Sequence, residues 1–264
     1  MSYECLIYET KDHVATLTLN RPERMNALGG TLREDFYAAL TQAIDDPEVR
    51  VIVITGAGKA FCAGGDVKAM QEAKEQKRER PLMERVAPGR DRSVLLMRES
   101  PKPLIAAVNG AAAGAGMNIA LGCDIRLASS TARFSQAFVR RGLHPDWGGT
   151  YFLPRIVGMA KAAEMIFTGQ IIDAHEALRL GIVRSVHEPE QLLPATYELA
   201  ATIAAGPPIA IRLARRALYH NGEADLQSSL EFETFAQNIC FETDDAREGI
   251  RAFVEKREPK FTGR

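Results

Sequence analysis

Cysteine is scarce: Cys5, Cys62, Cys123 and Cys240 are four residues in 264. No two form a C-x-x-C pair. The chain therefore carries neither a zinc-ligand pattern nor a disulfide framework, and a reducing compartment is implied. Net charge is nearly absent as well. Lys and Arg number 33 against 34 Asp and Glu, a formal −1. A chain so balanced has no built-in field for nucleic acid or an anionic bilayer. No apolar run approaches the roughly 20 residues that cross a membrane. The first ten residues, MSYECLIYET, mix acids with apolar side chains and do not read as a secretory leader. Together these absences lead to the expectation of a cytoplasmic protein without nucleic-acid or membrane partners. The remainder is ordinary globular material, 46% hydrophobic and long enough for one large domain or a core with an appendage.

The apolar pattern alternates between strand and helix. HVATLTLN (His13 to Asn20) alternates apolar and polar residues and predicts a half-buried strand. Thr31 and Glu34 read as a capping box, opening a helix through Leu32, Phe36, Leu40 and Ile44 to about Asp45. VIVIT (Val51 to Thr55) and PLIAAV (Pro103 to Val108) are continuous apolar runs, as in strands covered on both faces. CDIRLAS (Cys123 to Ser129) is a third candidate. Such strands separated by helices imply an α/β core reaching about residue 190. From Lys68 to Arg92 the chain is charged and interrupted by Pro81, Pro88 and Gly89. That reads as a solvated helix and loop, compatible with a flap over a binding site. Asp173 and Glu176 start a short helix that Gly181 closes. Beyond Pro189 the pattern is helical, with Gly206 to Pro208 separating two helices. Asp244 to Glu258 places acids in a first turn and Lys256 and Arg257 in a last one, matching the helix dipole.

Three segments carry chemistry. In VIVITGAGKAFCAGGD and PLIAAVNGAAAGAGMNIAL a strand ends in a glycine-rich turn, which exposes backbone N–H groups to a ligand oxygen. Two such donors meeting at one point make an oxyanion hole. A dinucleotide turn competes for the second segment, but the G-x-G-x-x-G spacing is missing and Asp124 follows too soon to hold a ribose. Close helix packing is the other use of these glycines. The third segment, AFVRRGLHPDWGGT, holds one carboxylate, Asp146, amid Phe138, Leu143 and Trp147. Poor solvation there is expected to raise its pKa. A plain turn role, capping Gly148 or Gly149, is the alternative. His144 reads as a packing or hydrogen-bonding residue, and Arg140 and Arg141 as surface cations.

GAGKAFCAGGDVK, KPLIAAVNGAAAGAGMNIALGCDIRLAS, GLHPDWGGTYFLPRIVG and REGIRAFVEKREPKF resemble, in this order and over essentially the whole chain, the crotonase (enoyl-CoA hydratase/isomerase) family. The resemblance implies an α/β spiral of repeated β-β-α units over residues 1–190. It implies a helical trimerisation region over 191–264. It casts Gly65 and Ala115 as the N–H pair holding an acyl-CoA thioester oxygen. Ala63 and Asp66 would lie along the CoA adenine, with Lys59 and Lys68 near its phosphates. Phe253 and Lys256 would reach toward a CoA site, often a neighbour's. No metal or redox cofactor is implied, since coenzyme A arrives as part of the substrate. The expected assembly is a homotrimer or a dimer of trimers.

The chain departs from the hydratases of that family at two positions. Those enzymes use a glutamate on the helix after the second donor and another eight residues before the position of Asp146. Here the two positions are Asn118 and Phe138. Asp146 stands where dienoyl-CoA isomerases and epoxyphenylacetyl-CoA isomerase carry an aspartate. The resemblance thus implies an acyl-CoA isomerase in which Asp146 moves a proton while Phe138 and Trp147 wall the pocket beside Asn118. The alternatives are an enoyl-CoA hydratase, an aspartyl-nucleophile dehalogenase or hydrolase, and a non-catalytic RNA-binding homologue. The weak charge argues against the last.

Overall fold

Strands that are apolar on both faces need cover on both faces, and the order of the chain provides it. The computed structural model describes residues 2–75, 92–222 and 224–264. β1 (Leu6–Lys11) pairs antiparallel with β2 (Val14–Leu19). β3 (Val51–Gly56), β5 (Leu104–Val108), β7 (Ile125–Ser129) and β10 (Ser185–His187) extend the sheet in parallel, in the order β1-β2-β3-β5-β7-β10. A second sheet holds β4 (Ala60–Cys62), β6 (Ala111–Ala113), β8 (Arg133–Ser135) and β9 (Ile171–Asp173), the last antiparallel. From β3 to β8 successive strands alternate between the sheets. Helices α2 (Val67–Glu75) and α4 (Ala115–Leu121) follow β4 and β6. The result is the α/β spiral of β-β-α turns that the resemblance implies.

β3 and β5 are buried along their whole length, as their composition requires. β2 differs from expectation: only Thr18 escapes full burial. Helix α8 (Pro189–Ala204) lies across this face of the sheet and contacts β2, β3, β5 and β7. The Thr16 hydroxyl, a polar position in the alternation, is hydrogen-bonded to the Tyr197 hydroxyl at 3.2 Å. A partnered hydroxyl is compatible with burial, so the alternation did not mean solvent. On the other face α1 (Leu32–Asp45) buries Leu32, Phe36, Ala39, Leu40 and Ala43.

The expected Thr31–Glu34 capping box is not formed. Thr31 sits at φ −91°, ψ 1°, outside the extended geometry of an N-cap, and makes no cap bond. Its hydroxyl donates to Asp35 Oδ2 at 2.8 Å instead. The second start reads correctly: Asp173 accepts the Glu176 N–H at 2.8 Å and opens α7 (Ala174–Arg179), and Gly181 follows its end at φ +74°. α9 (Pro208–His220), α10 (Leu226–Glu242) and α11 (Asp244–Glu255) complete the chain. α11 has Asp244 and Asp245 in its first turn. It stops at Glu255, so Lys256, at φ +54°, and Arg257 lie past the last turn rather than in it. Arg257 folds back to Glu248 at 2.6 Å.

One buried ion pair fastens the C-terminal helices to the spiral. Arg215 of α9 meets Asp124 at 2.9 Å and donates to the Met97 carbonyl at 2.7 Å, at the end of α3 (Arg92–Glu99). Of the charged Lys68–Arg92 stretch, α2 carries an exposed start, and the loop or flap expected after Glu75 lies outside the described residues. No described helix is long and apolar enough to cross a membrane.

Candidate active site

The two glycine-rich turns lock against each other. Gly64 adopts φ +91°, and a Cβ there would stand 2.6 Å from the Ala113 carbonyl oxygen. Only glycine fits. The turn is held by the preceding loop, where the Leu28 N–H donates to Gly64 O at 2.7 Å and the Ala63 N–H donates to Met25 O at 3.0 Å. In the second turn, Gly114 at φ +53° donates to Ser135 O at 2.8 Å. A Cβ on Gly116 would meet Cys62 O at 2.0 Å, so α4 lies directly on β4. A Cβ on Gly64 would also be 3.5 Å from Ala115 N, which puts the two turns side by side. Ala115 is the first residue of α4, and its N–H has no acceptor within the helix.

Gly65, Ala115 and Ala63 line one cavity of about 370 Å³ together with Phe138 and Asp146. The Phe138 ring closes on the second turn: its Cζ is 3.4 Å from where a Cβ of Gly114 would stand. The Met70 methyl covers the first, 2.5 Å from the corresponding point on Gly65. Gly65 and Ala115 thus border a pocket whose nearest walls are apolar, where a hydrogen bond to a charged oxygen is worth more than in water.

The acidic turn opposite is built differently. Asp146 is exposed among the described residues rather than buried, so the premise of poor solvation fails. Trp147 explains why. At φ +51° it turns inward, is 3% exposed and packs on Phe36 with ring centroids 6.2 Å apart. The turn sends the indole into the core and leaves the carboxylate at the cleft. Trp147 therefore does not line the cleft. Asn118 does not line it either. It is buried, and its Nδ2 donates to the Asp146 carbonyl at 2.7 Å while its Oδ1 accepts from Gln136 Nε2 at 2.7 Å. A carbonyl only accepts, so this bond fixes the orientation of both amides. Gly149 permits the approach, since a Cβ there would be 2.4 Å from Asn118 Nδ2. Asn118 anchors the acidic turn from behind.

Asp66 is not part of the cavity lining. It pairs with Arg21 at 3.1 Å and accepts the Ala69 N–H at 3.2 Å. Burial would raise its pKa, but the Ala69 N–H and the Arg21 guanidinium outweigh burial and hold the carboxyl below the usual carboxylate range. Lys59 and Lys68 are exposed and lie outside the cavity lining. Phe253, on α11, is 86% exposed, and Lys256 ends that helix; neither lines the cavity. Burial pushes the Cys62 thiol up to about 12, so it stays protonated beneath the first turn and offers no nucleophile. Sequence reasoning missed Arg33 and Met70, which line the cleft from elements distant in sequence, and it gave Arg141 a surface role and His144 a packing or hydrogen-bonding one although both line the cleft beside Asp146.

A family model described as enoyl-CoA hydratase/isomerase matches residues 9–264. The crotonyl-CoA hydratase of Syntrophomonas wolfei is 39% identical over 264 residues, covering 99% of each chain. The 1,2-epoxyphenylacetyl-CoA isomerase of Escherichia coli is 35% identical over 271 residues, again covering 99% of each. The crystal structure of an enoyl-CoA hydratase from Polaromonas sp. JS666 superposes with a TM-score of 0.90 at 34% identity, covering 97% of this chain and 99% of that one. The locked glycine turns, the alternating two-sheet spiral and full-length similarity agree: this chain belongs to the enoyl-CoA hydratase/isomerase family.

Proposed function

We propose that the protein is an acyl-CoA isomerase that shifts a double bond, or rearranges an epoxide, in a CoA thioester. One observation carries this reading: among the described residues, the cleft with both glycine turns is lined by a single carboxylate, Asp146, while positions 118 and 138 carry an amide and a phenyl ring. Adding water across a double bond needs groups that position the water and move its protons. Asn118 spends its amide on Asp146 O and Gln136, and Phe138 has no polar atom. An isomerisation needs less. A proton leaves the carbon beside the thioester, charge moves onto the thioester oxygen, and a proton returns elsewhere on the acyl chain. Gly65 and Ala115 N–H stabilise the oxygen, and loss of one such donor typically costs roughly 2.7–4 kcal/mol of barrier. Asp146 takes the proton. Phe138 keeps water from the enolate.

In this reading Ala63 and its turn line the CoA strip, with Lys59 and Lys68 available to its phosphates. Asp66, already paired with Arg21, shapes that turn rather than offering its charge. The similarity to a crotonyl-CoA hydratase favours hydration as the second reading. We also propose a homotrimer or dimer of trimers. Leu226 and Val254, each 74% exposed, and Phe253 present apolar area that a monomer leaves in water. Light scattering at micromolar protein is expected to give a multiple of three chains; a monomer mass contradicts it.

The functional test is Asp146→Asn, which keeps shape and removes basicity. Turnover of a 3-enoyl-CoA ester is expected to fall by about 10²–10⁴-fold, while the thermal shift induced by the ester is kept. Unchanged isomerisation by the variant would leave Asp146 as a turn residue only.

A further inference from the structure

The cleft contains a second group that can carry a proton. His144 lines it with Asp146, Gly65 and Ala115, and is exposed among the described residues. Its Nδ1 lies 2.6 Å from the carbonyl oxygen of Pro145. A carbonyl oxygen has no proton to give, so Nδ1 carries the hydrogen and donates it. That bond is compatible with the neutral and the charged ring alike. It fixes the tautomer, and it leaves Nε2 as the one ring position that gains or loses a proton. Pro145 is itself buried, so the carbonyl that holds the ring belongs to an anchored segment. The other charged groups lining the cleft, among the described residues, are Arg33 of α1, Arg141 and Asp146. The two guanidiniums are hydrogen-bond donors with no acceptor atom. Among the described residues, His144 and Asp146 are left as the groups that can exchange protons with a substrate there.

We propose that His144 is a second proton-transfer group, and that isomerisation is divided between two side chains rather than performed by one. The proposal rests on the isomerase reading above. The Asp146 carboxylate takes the proton from the carbon beside the thioester. The electron pair of that C–H bond moves into the acyl chain, and the charge rests on the oxygen held by Gly65 and Ala115. The His144 imidazolium then gives its Nε2 proton to the γ carbon, where the double bond was. The substrate has lost one proton and gained one. The enzyme is left with a neutral carboxyl and a neutral imidazole. Asp146 loses its proton to solvent and His144 gains one, which the exposure of both side chains permits.

The division predicts where labels go. A single residue can return the proton it removed whenever transfer outruns its exchange with solvent, whereas two residues always draw the second proton from water. The probe is trans-3-hexenoyl-CoA deuterated beside the thioester, converted in ordinary water, with the unlabelled ester run in D₂O. The parent enzyme is expected to place a solvent-derived proton on the γ carbon with almost no carry-over of substrate deuterium. His144→Gln is expected to lower turnover by about 10²-fold, and its residual reaction is expected to carry substrate deuterium to the γ carbon through Asp146 alone. Added imidazole is expected to restore part of the turnover of His144→Ala, a rescue that loss of a packing contact would not show. Deuterium carried over by the parent, or a His144→Gln variant with the parent's rate and label pattern, would overturn the proposal. A parent enzyme that instead adds one water to the ester overturns the isomerase reading, and the two-group scheme with it. The mass of the product separates that failure from a failure of His144 alone.

Discussion

The two walls of the cleft are made of different material. The donor wall is backbone. Gly64 and Gly114 stand at positive φ, and Gly116 has a carbonyl oxygen 2.0 Å from where its Cβ would be. Gly64 and Gly116 are each required by a backbone carbonyl, of Ala113 and Cys62, that is also part of the wall. The acid wall, from Ala137 to Asp146, is mostly side chains, and Arg141, Leu143, His144 and Asp146 are all exposed. It is held by a short helical turn in which the Arg141 and Leu143 N–H groups donate to Phe138 O at 2.9 and 3.1 Å, and by Asn118 behind it. The contrast assigns separate tasks. In the proposed isomerisation the donor wall stabilises charge on a thioester oxygen, a need common to many reactions of such esters, and it cannot be edited without disturbing the fold. In the same proposal the acid wall decides what happens to the proton, and its exposed positions can be rewritten at little cost to stability.

The comparison breaks most visibly at Gly116. Gly116→Val forces two extra methyl groups and a Cβ into the Cys62 carbonyl, and is expected to destabilise the protein by about 3 kcal/mol, read as a shifted urea midpoint by circular dichroism. Leu143→Ala, on the opposite wall, is expected to stay within about 0.5 kcal/mol in the same titration, as exposed positions usually do. Equal losses at the two sites would erase the distinction between the walls.

Asn118 joins the walls and sharpens the comparison. Asn118→Ala leaves the Asp146 carbonyl and the Gln136 amide without their partner. The cost of unmade buried hydrogen bonds is about 1–3 kcal/mol. Because the acidic turn is loosened while the donors keep their places, kcat is expected to fall more than affinity for a CoA ester. Steady-state kinetics and the ester-induced thermal shift together check this. An unchanged kcat would mean that the turn is positioned without Asn118.

Much of the donor wall is legible from sequence, because glycine clusters at the ends of apolar strands have few physical uses. The strands themselves are legible for the same reason. The acid wall is legible only in part. Asp146 stands out as a lone acid, but its exposure does not, because Leu143 and Trp147 surround it in sequence while Trp147 leaves it in space. One backbone angle, φ +51° at Trp147, separates the two. The Thr31–Glu34 spacing likewise promises a cap that the local backbone does not form. Arg33, from α1, and Met70, from α2, reach the cleft by long-range packing that no window of sequence encodes.

In the proposed reaction this cleft moves a proton and does not add water. Crotonyl-CoA is the direct test, since hydration increases the product's mass by one water and isomerisation leaves it unchanged. With Asn118 committed to holding a turn and a phenyl ring at position 138, hydration is expected to be negligible, while a 3-enoyl-CoA ester is converted to its 2-enoyl isomer under the same conditions. Hydration of crotonyl-CoA at about 10 per second or more, the median turnover of ordinary enzymes, would contradict the account.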